Sequence, residues 1–124
     1  LVPEAAESPS ELVTDTIVEA VENEMEIRQN IQIPNAFSPD ENGFNDGWVI
    51  EGLENYPNNR LEIWSRWGFK VYESVNYQND WIGNSTIGFR VGANSELPEG
   101  TYFYKLIVEE RVIFRGYIYL KRLP

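Results

Sequence analysis

Apolar and polar positions alternate over much of the chain after Gln29. The stretch 60–66 places Leu61 and Ile63 on one face and Glu62 and Trp64 on the other, which is typical of a strand with one buried side. Short apolar runs of this kind are separated by turn residues at regular spacing, which indicates an all-β domain. We predict seven strands, at about 29–34, 47–52, 60–66, 69–73, 87–91, 101–109 and 112–121.

The connections between these runs favour hairpins. The stretches "RWGF" and "LPEGTY" have the composition of tight turns, and Glu109-Glu110 separates the last two strands. Strands joined in this way predict an immunoglobulin-like antiparallel β-sandwich over residues 29–124.

The first 28 residues follow a different pattern. The stretch "SPSE" at 8–11 matches a capping box, and apolar residues then recur at near-helical spacing, which predicts a helix over about 10–25. A disordered acidic linker is the alternative, because β-branched residues weaken a helix and the eight acids of residues 1–30 repel one another. In either form, residues 1–28 are expected to be a stem that joins a preceding region to the β domain.

Composition narrows the function. The chain has no Cys and no His, so the commonest general base and the usual nucleophile arrangements are missing, and we expect no enzyme activity. The net charge of −10 argues against a nucleic-acid partner. No apolar run is long enough to span a bilayer, and "LVPEAAESPS" lacks the features of a signal peptide. We expect a fragment or mature form of a longer precursor.

The loop "NAFSPDENGFNDGW" is the candidate metal site. Asp40, Asn42 and Asp46 stand at relative positions 1, 3 and 7, and Glu51 falls at 12, which resembles the oxygen-ligand spacing of an EF-hand calcium loop. The glycine of that loop is displaced, however, and Glu51 lies in a predicted strand. Asn, Asp and Gly also order turns without any ion. Calcium is therefore one of two open interpretations, and no other cofactor is expected.

Aromatic and basic residues offer two further candidate surfaces. Trp67 and Trp81 lie near turns and are either a sugar-stacking platform or part of the core, with Arg66 as a cation–π partner. Five cations fall in the last 20 residues and form either a solvated face or a docking surface for an acidic partner. They are Lys105, Arg111, Arg115, Lys121 and Arg122.

Several ordered blocks resemble a known family. The blocks "IPNAFSPDENGFNDGW", "RWGFKVY", "NDWIG", "LPEGTYFYKL" and "FRGYIYLKR" resemble the gliding-motility-associated C-terminal domain of Bacteroidota, the type B sorting domain of the type IX secretion system. The resemblance spans residues 31–122. Departures are Asp40-Glu41-Asn42-Gly43, where the family commonly has Asn-Gly-Asp-Gly, and Ile82, where it has an acid.

The resemblance implies a secretion signal. Such domains direct a cargo, carried upstream in the same chain, through an outer-membrane translocon and its shuttle or receptor proteins, after transit of the periplasm, to the cell surface or the medium. A monomer is expected. The alternative is an adhesive or carbohydrate-binding module of a surface protein. The candidate recognition residues are Arg66, Trp67, Gly68, Trp81, Lys121 and Arg122.

Overall fold

The computed structural model describes residues 17–39, 47–87 and 96–122. The chain divides into two compact units, Leu1–Asn30 and Ile31–Pro124. The candidate calcium ligands Asp40, Asn42 and Asp46 lie outside the described residues, as does most of the strand predicted at 87–91. Calcium binding by this loop stays a prediction.

Residues 17–30 form helix α1. Of the two alternatives for the acidic segment, a helix or a disordered linker, the described part is therefore a helix. An ion pair of 3.1 Å between Arg28 Nε and Glu24 Oε1, one helical turn apart, supports it. The helix extends through residue 30, so the strand predicted at 29–34 is wrong over its first two positions. Within the described part of the chain, no helix combines the length and the apolar character needed to cross a membrane.

The second unit is built on a five-stranded sheet. Its strands are β1 (Ala36–Phe37), β2 (Asn59–Ser65), β3 (Lys70–Val75), β4 (Gly100–Val108) and β5 (Val112–Leu120), in the order β1-β5-β4-β2-β3. The four strands predicted at 60–66, 69–73, 101–109 and 112–121 are confirmed. They pair antiparallel, as expected.

Strand β1 differs from the prediction. It runs parallel to β5, with Ala36 opposite Tyr119 and Phe37 opposite Leu120. The strands predicted at 29–34 and 47–52 are reduced to one isolated bridge between Gln32 and Glu51. Pro34, which has no N–H to donate, interrupts the first of these segments. An all-β class is confirmed, but within the described residues there is one sheet, and the second sheet of a sandwich is not established.

The inner face of the sheet forms most of the core. Alternate residues of β2, β4 and β5 are buried there: Leu61, Ile63, Tyr102, Leu106, Val108, Val112, Ile118 and Leu120. Irregular segments pack on this face and contribute Trp48 and Trp81, both fully buried. The ring centroid of Trp48 lies 5.4 Å from that of Tyr104, and the centroid of Trp81 lies 6.3 Å from that of Tyr102. Indole rings therefore cover the sheet where a second sheet was predicted.

Hydrogen bonds join these irregular segments to each other. The Tyr77 hydroxyl donates to the carbonyl of Trp48 at 2.6 Å and accepts from the amide of Trp81 at 3.0 Å. The indole N–H of Trp48 donates to the carbonyl of Pro34, and that of Trp81 to the carbonyl of Asn84, both at 2.9 Å. Burial raises the pKa of Tyr77, which keeps its hydroxyl protonated as a donor. The polar atoms of the buried aromatic cluster thus have partners.

We expect Trp81→Ala to lower the free energy of unfolding by about 3–5 kcal/mol, because it opens a large cavity beside Tyr102 and Phe37. Urea denaturation followed by circular dichroism measures this. Trp67→Ala is the matched control, since Trp67 is 74% exposed and its loss should change stability by less than about 0.5 kcal/mol. Equal effects of the two substitutions would contradict the buried role of Trp81.

Candidate functional site

The sheet register brings several of the candidate recognition residues to one end of the sheet. Ser65 at the end of β2 lies opposite Tyr102 near the start of β4, and Leu120 at the end of β5 lies opposite Gly100. The β2–β3 turn, the segment before β4 and the segment after β5 therefore meet at this end. Each of these three segments lies more than 20 residues from the other two in the sequence.

Residues 66–69 form the β2–β3 turn, which we name the recognition turn. The Ser65 hydroxyl accepts hydrogen bonds from the amides of Trp67 at 3.3 Å and Phe69 at 3.2 Å. Gly68 has a φ of 90°, a conformation that favours glycine. The Ser65 side chain and the conformation of Gly68 thus hold the turn, while the Trp67 ring faces solvent. The Arg66 guanidinium carbon lies 5.0 Å from the centroid of that ring, a cation–π distance.

A cleft of about 720 Å³, which we name the recognition cleft, lies beside this turn. Arg66, Trp67 and Phe69 line it on one side. Leu97 and Pro98, from the segment before β4, are among the residues that line the other. Two of the sequence blocks on which the family resemblance rests are therefore parts of one surface. Trp67 and Phe69 are 74% and 70% exposed, so this surface offers two aromatic rings to a partner.

Arg122 binds one of the segments that line the recognition cleft. Its guanidinium donates to the carbonyl of Leu97 through Nε at 3.1 Å and Nη2 at 2.7 Å, and Nη2 also donates to the carbonyl of Gly83 at 2.7 Å. A Cβ added to Gly83 would stand 3.0 Å from Nη2 and 2.9 Å from a Leu120 methyl carbon, so glycine permits this approach. Arg122 therefore connects three segments that are distant in sequence.

Glu99 adds two further hydrogen bonds to this connection. Its Oε1 accepts from the amide of Arg122 at 2.8 Å, and its Oε2 accepts from the Tyr119 hydroxyl at 3.2 Å. The nearby carboxylate raises the pKa of Tyr119. Because these partners lie 20 and 23 residues away in the chain, no local pattern indicates them.

The remaining candidates differ from Arg122. Lys121 uses its backbone amide to donate to Phe37 at 3.0 Å, while its side chain is exposed, with no ionic partner among the described residues. Trp81 is fully buried, so it does not belong to the accessible surface of the folded domain. Of the six candidates, Arg66 and Trp67 reach the cleft, Gly68 shapes the turn, Lys121 is solvated, and Trp81 and Arg122 support the fold.

A charge network lies on the outer face beside the turn. Lys70 Nζ contacts Glu62 Oε2 at 2.8 Å and Glu73 Oε1 at 2.9 Å, and Arg60 Nη2 contacts Glu73 Oε1 at 2.9 Å. Hydrogen bonds from Lys70 are the largest cause that lowers the pKa of both carboxylates below the ordinary value of 4.5. The same bonds, that to Glu62 first, raise the pKa of Lys70. Within the described residues, no group of three or more Asp or Glu side chains could hold a metal ion.

Comparison with known proteins gives one family. The family model described as the CHU_C type IX secretion signal domain matches residues 31–120, which include both sides of the recognition cleft. Neither the curated proteins nor the solved structures contain a match to the chain.

We expect Arg122→Gln to lower the free energy of unfolding by about 1–3 kcal/mol, because it removes hydrogen bonds to two half-buried carbonyls. Chemical denaturation measures the change. Lys121→Gln carries the same charge change and should leave stability unaltered. If both variants unfold at the wild-type urea concentration, Arg122 is not a structural residue.

We also expect the charge network to make the thermal stability of the domain depend on pH in the acidic range. Carboxylates with a lowered pKa stabilise the fold fully above about pH 4.5, and this stabilisation is lost as pH falls through the lowered pKa. Lys70→Gln removes the main cause, so its Tm should fall less than that of the wild type between about pH 5 and 3. Lys121→Gln is the control and should keep the wild-type slope. Parallel profiles for Lys70→Gln and wild type would contradict the network.

Proposed function

Because the chain belongs to the CHU_C type IX secretion signal domain family, we propose that the recognition cleft is the surface through which the secretion machinery binds it. The chain is a secretion signal, which implies a sorting machinery and a cargo that is exported to the cell surface or secreted. What carries the proposal is the meeting of the recognition turn and the segment around Leu97-Pro98 in one cleft. Exposed aromatic rings on a rigid turn are typical of binding hot spots.

The geometry of the turn supports this role. The Ser65 hydroxyl and Gly68 hold the turn, so the Trp67 ring is presented with little loss of freedom on binding. The Arg66 guanidinium stacked on that ring adds a positive charge at the rim. The partner in this proposal contacts the domain through an apolar side chain at Trp67 and an acceptor group at Arg66.

The proposal extends to the organisation of the chain. Residues 29–124 carry the signal, and residues 1–28 form an acidic stem between it and the cargo. The beginning of the family match at Ile31 and the division of the chain after Asn30 support this boundary. The domain crosses the periplasm with its cargo, binds an outer-membrane translocon component as a monomer, and takes no part in catalysis.

The alternative of a carbohydrate-stacking platform formed by Trp67 and Trp81 has less support. Two rings must be accessible together to form such a platform, and Trp81 is fully buried against Phe37 and Trp48.

We expect residues 29–124, fused behind a periplasmic reporter in a host with type IX secretion, to carry the reporter out of the cell. Retention of the reporter in the periplasm would refute the signal function. Trp67→Ala in the same fusion should reduce export about tenfold or more while the Tm stays unchanged, because it removes a surface contact only. Reporter activity in medium and periplasm measures both outcomes.

Val75→Ala is the matched control, since Val75 is an exposed apolar residue at the other end of β3. It should export as the wild type does. Normal export of the Trp67→Ala fusion, beside normal export of the parent fusion, would refute the cleft as the recognition surface and leave the signal function intact.

A further inference from the structure

The outer face of the sheet carries a row of aromatic side chains. Trp64 of β2 lies directly opposite Phe103 of β4, and Phe103 lies directly opposite Tyr117 of β5. Residues opposite each other share a face, so the three rings form one row across three strands. Phe103 is 47% exposed and Tyr117 is 50% exposed. We name Trp64, Phe103 and Tyr117 the aromatic row.

Two cations stand side by side next to this row. Lys105 of β4 lies directly opposite Arg115 of β5, two residues along each strand from the aromatic row. Like charges directly opposite each other destabilise a sheet. Within the described residues, neither cation has a carboxylate partner within ion-pair distance. Glu62 lies opposite Lys105 on the other side, but its carboxylate contacts Lys70 at 2.8 Å and Arg60 at 3.5 Å.

The cations and the aromatic row line one depression of about 490 Å³. Aromatic rings beside cations offer a partner both apolar contact and charge. Here the rings adjoin two cations that have no ion-pair partner among the described residues, on a protein whose net charge is −10. Aromatic residues that face each other across strands stabilise a sheet, whereas the repulsion between Lys105 and Arg115 does not, so sheet stability leaves the cation pair unexplained.

We propose that this outer face binds an acidic segment of a partner protein. In this complex, carboxylates of the segment bind Lys105 and Arg115, and an apolar or aromatic side chain of the segment packs on Phe103 and Tyr117. Charge complementarity selects an acidic partner. The aromatic row selects a peptide over a simple polyanion, because a polyanion gains little from apolar rings. The inference does not rest on the proposed function, since the recognition cleft is a different surface.

The test uses the 124-residue chain and two synthetic peptides, one with four glutamates around a tryptophan and one with glutamines in their place. Titration of the ¹⁵N-labelled chain should shift the amides of Phe103, Lys105, Arg115 and Tyr117 with the acidic peptide. The glutamine peptide should bind about tenfold more weakly or worse.

Lys105→Gln combined with Arg115→Gln should weaken binding at least about tenfold and should keep or raise the Tm, because it removes a repulsion. Arg111→Gln is the control, since Arg111 is a cation in the β4–β5 turn, outside the depression. Phe103→Ser, at an exposed position, supplies a second variant that should also weaken binding.

Four outcomes would overturn the proposal. The double variant binds as tightly as the wild type, Arg111→Gln loses as much affinity as the double variant, or the shifted amides are those of the recognition turn. The fourth is that dextran sulfate or phosphatidylglycerol vesicles bind at this face while the acidic peptide does not, which would make the site a polyanion or membrane site.

Discussion

The hydroxyl group of Tyr77 is the contact on which the irregular half of the domain depends. It accepts from the amide of Trp81 and donates to the carbonyl of Trp48, and the amide of Trp48 also donates directly to the carbonyl of Trp81 at 2.9 Å. Backbone groups that are buried outside regular structure must find partners, because leaving them unpaired is costly. A second sheet would supply those partners through its strands. Here isolated backbone hydrogen bonds supply some of them, and side chains supply others: Tyr77, together with Asn79, whose Oδ1 accepts from the amide of Ile50 at 2.9 Å.

This arrangement explains why some residues of the sequence blocks are buried and others are exposed. Trp81 and Gly83 hold the cluster and the Arg122 side chain in place. Gly116 belongs with them, since a Cβ there would stand 2.8 Å from the Tyr104 hydroxyl, whose ring packs on Trp48. Arg66 and Trp67, with their neighbours in the turn, extend to solvent, as Phe103 and Tyr117 do on the outer face of the sheet. The sequence blocks therefore combine residues that build the surface with residues that are exposed on it.

The sequence predicted those parts of the fold that depend on local periodicity. Strands β2 to β5 alternate with a period of two, and that alternation can be recognised without knowing the partner strand. Strand β1 has two residues and pairs in parallel with a strand more than 80 positions away, so no local pattern indicates it. Arg122 has the same property, because its acceptors lie 25 and 39 residues distant. For Trp81 the difficulty is different, because a tryptophan fits a core or a surface equally well. Its burial therefore depends on tertiary packing, which the local sequence does not indicate.

On the outer face of the sheet, the charged residues of β2 and β3 differ from those of β4 and β5 in their ionic contacts. At β2 and β3, each carboxylate of Glu62 and Glu73 contacts two cations, so the charges compensate each other within the domain. At β4 and β5, the pair Lys105 and Arg115 has no such compensation from residues 17–39, 47–87 and 96–122, although Glu62 is the cross-strand neighbour of Lys105. Because Lys70 and Arg60 already bind Glu62, the compensation on one half of the face leaves the other half positive. The same carboxylate that stabilises the β2–β3 hairpin is thus not available to Lys105, which stays positive beside the aromatic row.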